Sequence, residues 1–166
     1  MKVKGKVVTF GKDINTDVII PSRYLTNLDP KELAKHAMEG IAPDFSQKKG
    51  EIIIVADTNF GCGSSREQAP IALKYAGVNA ILAESFARIF YRNAINIGLP
   101  VLECSDVINR VNPGDQLSID LTTGAVRNLT EQESLQTREL TIFVLEIIED
   151  GGLIAHLRKR MRNECL

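Results

Sequence analysis

Asn59-Phe60-Gly61-Cys62-Gly63-Ser64-Ser65-Arg66-Glu67-Gln68-Ala69-Pro70 is the stretch that decides the fold. It follows an apolar run, Ile52-Ile53-Ile54-Val55, that reads as a buried strand. It precedes Ala69 to Ala76, which reads as a helix closed by Gly77. Gly61 and Gly63 bracket Cys62, so the backbone can turn sharply there and expose its N–H groups. Two hydroxyls and the Arg66 guanidinium then stand at the start of the helix. Free N–H donors, a positive dipole end and a planar fork suit an anion such as a carboxylate. A local alternative stays open. Ser64 and Glu67, or Ser65 and Gln68, have capping-box spacing, so one serine suffices to cap the helix. The cap leaves the second hydroxyl, Arg66 and the glycine pair without a part. With Ser65 as the cap, Pro70 falls inside the helix and removes a hydrogen bond.

Outward from this stretch, the pattern strand, helix, strand, helix repeats. Ala80 to Ala83 is a second buried run and feeds a helix from Phe86 to about Asn96, closed by Gly98, with a third strand at Pro100 to Leu102. Such alternation implies parallel strands with helical crossovers. Ligands gather at the carboxyl ends of such strands, which places Asn59 to Arg66 on the ligand side, with Ser85, Arg88 and Asn93 at the matching end of the next unit. Lys2 to Phe10 alternates as a first strand, Gly11 to Asp17 reads as a polar loop, and Asn15, Thr16 and Asp17 have turn chemistry. Asp29-Pro30-Lys31-Glu32 starts a helix that the pattern extends to about Glu39, before Gly40. Gln116 to Leu121 and Ala125 to Asn128 form an antiparallel pair about Thr123-Gly124, whereas Thr130 to Glu139 has no clear form. Ile142 to Ile148 fits strand or helix, and Leu153 to Met161 reads as a last amphipathic helix. His36 and His156 both read as solvated.

At 166 residues the chain fits one domain, residues 1–166, and a domain near this size buries roughly 70% of its unfolded surface. Net charge is −1 with the signs well mixed, which implies no nucleic acid or membrane-surface partner. No apolar run is long enough to span a bilayer, and Met1 to Phe10 is strand-like rather than a secretory signal. Cys62, Cys104 and Cys165 are odd in number and include no Cys-x-x-Cys pair. That suits a reducing cytoplasm and argues against a metal or iron–sulfur site made by this chain alone. A thiol at a helix N-terminus can be activated, but no histidine stands near Cys62 in sequence, and it reads as small packing in the turn.

Three blocks together resemble a known family. Asn59 to Gln68, Ser85-Phe86-Ala87-Arg88-Ile89 and Asn15-Thr16-Asp17-Val18-Ile19-Ile20-Pro21 stand in the order and at the spacing of 3-isopropylmalate dehydratase small subunits. That family is the swivelling domain of the aconitase superfamily on a separate chain, and the resemblance covers nearly the whole sequence. It implies an α/β fold of three layers, β/β/α, with a parallel strand–helix core and additional antiparallel strands. It implies a hydro-lyase that moves a hydroxyl between adjacent carbons of a small dicarboxylate, in leucine biosynthesis. It also implies a large-subunit partner that carries a [4Fe-4S] cluster, with no cofactor on this chain.

By the same resemblance, Ser64 is the base that, as an alkoxide, takes the carbon-bound proton. Arg66 binds a substrate carboxylate at two points and Ser65 helps to hold it. Thr16, Asp17, Gly61, Gly63 and Arg88 support the site. Substrate choice lies in Tyr24-Leu25-Thr26-Asn27-Leu28. Homoaconitase-like relatives carry an arginine after Tyr-Leu, where this chain has Thr26. An uncharged loop beside Leu28 favours an apolar substituent such as isopropyl. A dimethylmalate-type dehydratase, a homoaconitase subunit and a non-catalytic anion-binding module are the alternatives.

Overall fold

β2 (Ile52–Ala56) is buried along its whole length, so both of its faces are covered. That is the signature of a central parallel strand. The computed structural model describes residues 1–48 and 50–164. In it β2 lies between β1 (Lys2–Phe10) and β3 (Val78–Ala83), parallel to both, and β4 (Val101–Glu103) continues the parallel set beyond β3. β1 serves two neighbours in succession. Its second half, Lys6 to Phe10, pairs with β2, and its first half, Lys2 to Lys6, pairs antiparallel with β5 (Gln116–Asp120). β6 (Ala125–Asn128) and β7 (Ser134–Gln136) extend the antiparallel half, giving one mixed sheet in the order β4-β3-β2-β1-β5-β6-β7. The class is α/β, with the expected parallel core and antiparallel extension.

The crossovers are α3 (Gln68–Tyr75) between β2 and β3, and α4 (Arg88–Asn96) between β3 and β4. α3 buries Ala69, Pro70, Ala72 and Leu73; α4 buries Phe90, Ala94 and Ile95. Small alanines let each helix approach the sheet closely, while Leu73 and Phe90 each contribute about 1.5–3 kcal/mol of burial. A short α5 (Val107–Arg110) follows β4.

Two stretches differ from their sequence reading, and two that the sequence left open take a definite form. Val18-Ile19-Ile20 and the end of the polar loop form α1 (Thr16–Ile19), capped by the Asn15 side chain, which accepts from the Asp17 amide at 2.9 Å. α2 (Pro30–Ala34) stops five residues short of Glu39. Met38 takes a left-handed φ of 61° and donates its amide to the Ile19 carbonyl at 2.7 Å, and Gly40 bonds Val18 at 3.1 Å. The chain therefore folds back onto α1 instead of continuing as helix. Residues 130–139 contribute β7. Ile142 to Ile148 resolves as α6 (Ile142–Glu149), with Thr141 accepting from the Val144 amide.

α7 (Leu153–Glu164) closes the described chain and carries His156, which is buried rather than solvated. Its Nδ1 lies 2.7 Å from Asp150 Oδ2 and its ring meets the edge of Phe143, so the nearby carboxylate explains how an imidazole is tolerated there. Cys165 lies outside the described residues.

Candidate active site

The four parallel strands end at one edge of the sheet, and the loops that follow β1, β2 and β3 stay in strand order beyond it. Asn15 pairs with Cys62, and Phe60 with Phe86, each as an isolated parallel bridge. The Gly61 amide bonds the Ile14 carbonyl at 2.8 Å, and the Thr16 amide bonds the Cys62 carbonyl at 2.8 Å. Asn59, itself left-handed at φ 61°, donates its amide to Ser85 Oγ and its side-chain nitrogen to Asp13 Oδ1, both at 2.9 Å. Phe60 is fully buried edge-on against Phe86 and Phe90. Three loops are thus sewn into one platform.

Both glycines of the decisive stretch are required. Gly61 and Gly63 have φ of 80° and 92°. A Cβ on Gly61 would lie 2.1 Å from Phe90 Cγ, and one on Gly63 would lie 2.3 Å from Asn15 Oδ1. Side chains are therefore excluded by backbone conformation and by space. The close approach at Gly63 brings the turn against the cap of α1.

α1 grips the far side of that turn. Thr16 is buried and its Oγ1 donates to the Ser64 carbonyl at 2.9 Å. Asp17 forms an ion pair with Arg66 Nη2, and Arg66 Nη1 donates to the Ile20 carbonyl at 2.8 Å. The Arg66 side chain is only 12% exposed against 56% for Asp17, so the guanidinium is anchored while its partner reaches into solvent. Arg66 Nε is a buried donor with no partner among the described residues. A buried donor in that condition costs about 1–3 kcal/mol.

Neither serine is a helix cap. α3 begins at Gln68, and Glu67 holds the cap position without a side-chain hydrogen bond. Pro70 then falls in the first turn, where helix N–H groups have no intrahelical partner, so it removes nothing. Ser64 and Ser65 are exposed, and neither their hydroxyls nor the Gly63, Ser64 and Ser65 amides bond anything among the described residues. Hydroxyls, unpaired amides, a helix start and an anchored arginine therefore meet in one place. That set can hold a carboxylate and stabilise an oxyanion.

The Cys62 thiol is not the activated one. Burial, and then the charge of Asp13, push its pKa above the ordinary value. Cys104 is buried, its thiol also raised by burial, and it donates weakly to the Gln136 carbonyl at 3.6 Å. Iron–sulfur clusters take several thiolates. The described residues bring together no group of three or more His, Cys, Asp or Glu that could hold a metal ion.

The remaining expected residues divide. Tyr24 and Leu25 are half-buried; Thr26, Asn27 and Leu28 are exposed, Leu28 at 87%. The loop is tied to the start of α3, because Gln68 Nε2 donates to the Leu25 carbonyl at 3.3 Å. Arg88 is exposed at the first position of α4. It lines a separate open groove of about 730 Å³ with Phe86, Tyr91, Arg92 and Arg138, and makes no hydrogen bond with Ser64 or Arg66. Asn15 is both cap and spacer, roles that its turn chemistry alone does not announce. His36 and Glu39, which contact Tyr24, have no local sign beyond a three-residue spacing, because the contact is tertiary. Among the described residues, no helix is long and apolar enough to cross a membrane.

Comparison with known proteins bears on the family and the fold. The family model of the aconitase C-terminal domain matches residues 9–107. The chain is 52% identical over 160 residues to the isopropylmalate/citramalate isomerase small subunit of Methanocaldococcus jannaschii, covering 96% of this chain and 95% of that one. It is 52% identical over 162 residues to the 3-isopropylmalate dehydratase small subunit of Clostridium beijerinckii, covering 96% and 100%. The same subunit of Pyrobaculum calidifontis is 54% identical over 160 residues, covering 96% and 99%. A crystal structure of 3-isopropylmalate dehydratase from Methanocaldococcus jannaschii superposes with a TM-score of 0.94 at 44% identity, covering 99% and 98%. With this fold, these shared lengths and this identity, the chain belongs to the family of 3-isopropylmalate dehydratase small subunits, built on the aconitase C-terminal domain.

Proposed function

We propose that this chain is the small subunit of a 3-isopropylmalate dehydratase, a hydro-lyase that interconverts 2- and 3-isopropylmalate through the dehydrated alkene. The carrying observation is the anchored Arg66 beside the unpartnered Ser64 and Ser65 hydroxyls at the start of α3. Dehydration removes a proton from a carbon next to a carboxylate, so charge builds on that carboxylate as the C–H bond breaks. Arg66 and Ser65 hold the carboxylate; Ser64 Oγ, as alkoxide, takes the proton and returns it on rehydration. Free serine is too weak an acid for this at neutral pH. The neighbouring amides, the α3 dipole and the guanidinium are the features that favour its anion. Departure of the hydroxyl calls for a Lewis acid, which a [4Fe-4S] cluster on the large subunit supplies when the two chains are together.

Leucine biosynthesis in the cytoplasm is the corresponding setting, with the chain acting as a single swivelling domain, residues 1–166. The Tyr24 to Leu28 loop, with Thr26 uncharged, is the wall against the substituent. One relative is named for citramalate as well as isopropylmalate. A methyl in place of isopropyl removes two carbons of apolar contact, about 2–6 kcal/mol at about 1–3 kcal/mol each, but leaves no charge unpaired. A methyl-substituted malate is therefore a weaker second substrate of the same site. The test is anaerobic reconstitution with a cluster-loaded large subunit, assayed on 2-isopropylmalate, citramalate, dimethylmalate and a homocitrate-type tricarboxylate. Turnover of 2-isopropylmalate only with both chains present supports the proposal. Preference for the tricarboxylate moves it to homoaconitase. Inertness with an intact cluster leaves an anion-binding module.

A further inference from the structure

The chain reversal that ends α2 early delivers two side chains to the base of the Tyr24 to Leu28 loop. Tyr24 stacks face to face on His36, with ring centroids 3.6 Å apart and planes within 9°. The Tyr24 hydroxyl donates to Glu39 Oε1 at 3.1 Å, and His36 Nδ1 lies 2.6 Å from Glu39 Oε2. Arg23 joins from the other flank: its guanidinium pairs with Glu39 and lies over the Tyr24 ring, 4.7 Å from the centroid. One carboxylate thus collects three donors around one ring. Burial works to raise the Glu39 carboxyl, but the His36 and Tyr24 hydrogen bonds and the Arg23 charge outweigh it and hold the pKa below the ordinary value.

The cluster matters because the loop tip has few contacts of its own. Thr26, Asn27 and Leu28 are exposed, and the Asn27 amide bonds back to the Tyr24 carbonyl at 3.0 Å. The tip inherits its position from Tyr24. Upstream, the loop is fixed to the catalytic side by Arg66 on the Ile20 carbonyl and by Gln68 on the Leu25 carbonyl. Tyr24 has an independent anchor in Glu39 and His36.

We infer that His36 and Glu39 are positioning residues for substrate choice: by clamping the Tyr24 ring they set where the Thr26–Leu28 wall stands against the substituent of the malate. This rests on the reading of the chain as a dehydratase small subunit. Neither residue touches substrate; both act through Tyr24. Losing the clamp costs contact with the substituent and leaves the chemistry at Ser64 in place, which raises KM rather than lowering kcat.

The test has two arms on Glu39→Ala, His36→Ala and the conservative Glu39→Gln and His36→Phe, which keep one acceptor and the stacked ring respectively. The first arm is amide hydrogen exchange of the full chain alone. Tyr24, Leu25 and Asn27 amides, all hydrogen-bonded in the loop, exchange faster in the alanine variants and near wild type in the conservative ones. The second is kinetics of the reconstituted two-chain enzyme on 2-isopropylmalate and citramalate. KM for isopropylmalate rises about tenfold in the alanine variants with kcat nearly unchanged, and the preference over the methyl substrate narrows. The conservative variants recover most of both. Unchanged exchange refutes the clamp. Faster exchange with unchanged KM and preference refutes its part in substrate choice, as does a fall in kcat alone. If wild type turns over neither acid, the dehydratase reading has failed, and the kinetic inference with it; the exchange arm still decides the clamp.

Discussion

Replacing Gly63 by alanine tests whether the turn is built against the cap of α1. The new Cβ would stand 2.3 Å from Asn15 Oδ1 and 2.7 Å from its Cγ and Nδ2. The backbone at φ 92° is also left-handed, which costs a non-glycine residue about 1–2 kcal/mol. Asn15 can yield only by swinging away from the Asp17 amide, and a lost cap costs about 1 kcal/mol. The sum is about 2–3 kcal/mol. With a urea slope of about 1–3 kcal/mol per molar, the unfolding midpoint falls by about 1 M. Activity suffers beyond stability, because α1 carries the Thr16 contact to Ser64 and the Asp17 contact to Arg66. Small displacements of positioned groups cost about 10²-fold in turnover. Gly11→Ala is the control on the same edge of the sheet: its Cβ meets nothing within 4 Å and its φ is ordinary, so stability stays within about 0.5 kcal/mol. Urea unfolding of each variant, with turnover alongside the large subunit, reads both effects. If Gly63→Ala matches Gly11→Ala in midpoint and turnover, the packing argument is wrong.

Three further outcomes follow from the same contacts. Thr16→Val keeps the shape but loses the bond to the Ser64 carbonyl; stability drops by about 0.5–1.5 kcal/mol and kcat falls more than KM changes, whereas two unchanged kinetic parameters would mean that Ser64 needs no such support. Cys62→Ser leaves turnover near normal, since the thiol is held protonated; complete loss would make the sulfur chemically necessary. The Asp150 carboxyl is held below its ordinary pKa, first by the hydrogen bond from Lys159 and then by His156. A depressed carboxyl contributes stability above its unfolded value of about 3.9 and loses it as pH falls through the folded value. Asp150→Asn is therefore less stable than wild type at pH 7, and the gap closes in acid below about pH 4. A gap that stays constant across that range, in pH-dependent urea unfolding, would contradict the assignment.

The strand–turn–helix unit was legible because each signal was local: a continuous apolar run, two glycines, then an alanine-rich helix ending at glycine. The parallel core and the β5–β6 hairpin followed from the same kind of evidence. What local pattern missed was decided at a distance. α2 ends early because Met38 and Gly40 bond the backbone of α1, which no spacing within Asp29 to Gly40 announces. His156 was read as solvated because its helix is rich in arginine and lysine, yet Asp150 and Phe143 enclose it. At the site, the residue types of Ser64, Ser65 and Arg66 suggested an anion, but the capping alternative remained until the helix start was fixed at Gln68. Asp17 and Arg66, distant in sequence, are brought together by the pairing of Asn15 with Cys62. Arg88, which the resemblance places in support of the site, lines the neighbouring groove.

We propose that Ser64 carries the proton for a reaction completed by a second chain. The direct measurement is turnover of 2-isopropylmalate by wild type and Ser64→Ala, each reconstituted anaerobically with the same cluster-loaded large subunit, with substrate affinity measured in parallel. The base role of Ser64 requires turnover by wild type, loss of turnover in Ser64→Ala, and affinity largely retained because Arg66 and Ser65 still hold the carboxylate. Near-normal turnover by Ser64→Ala would contradict it.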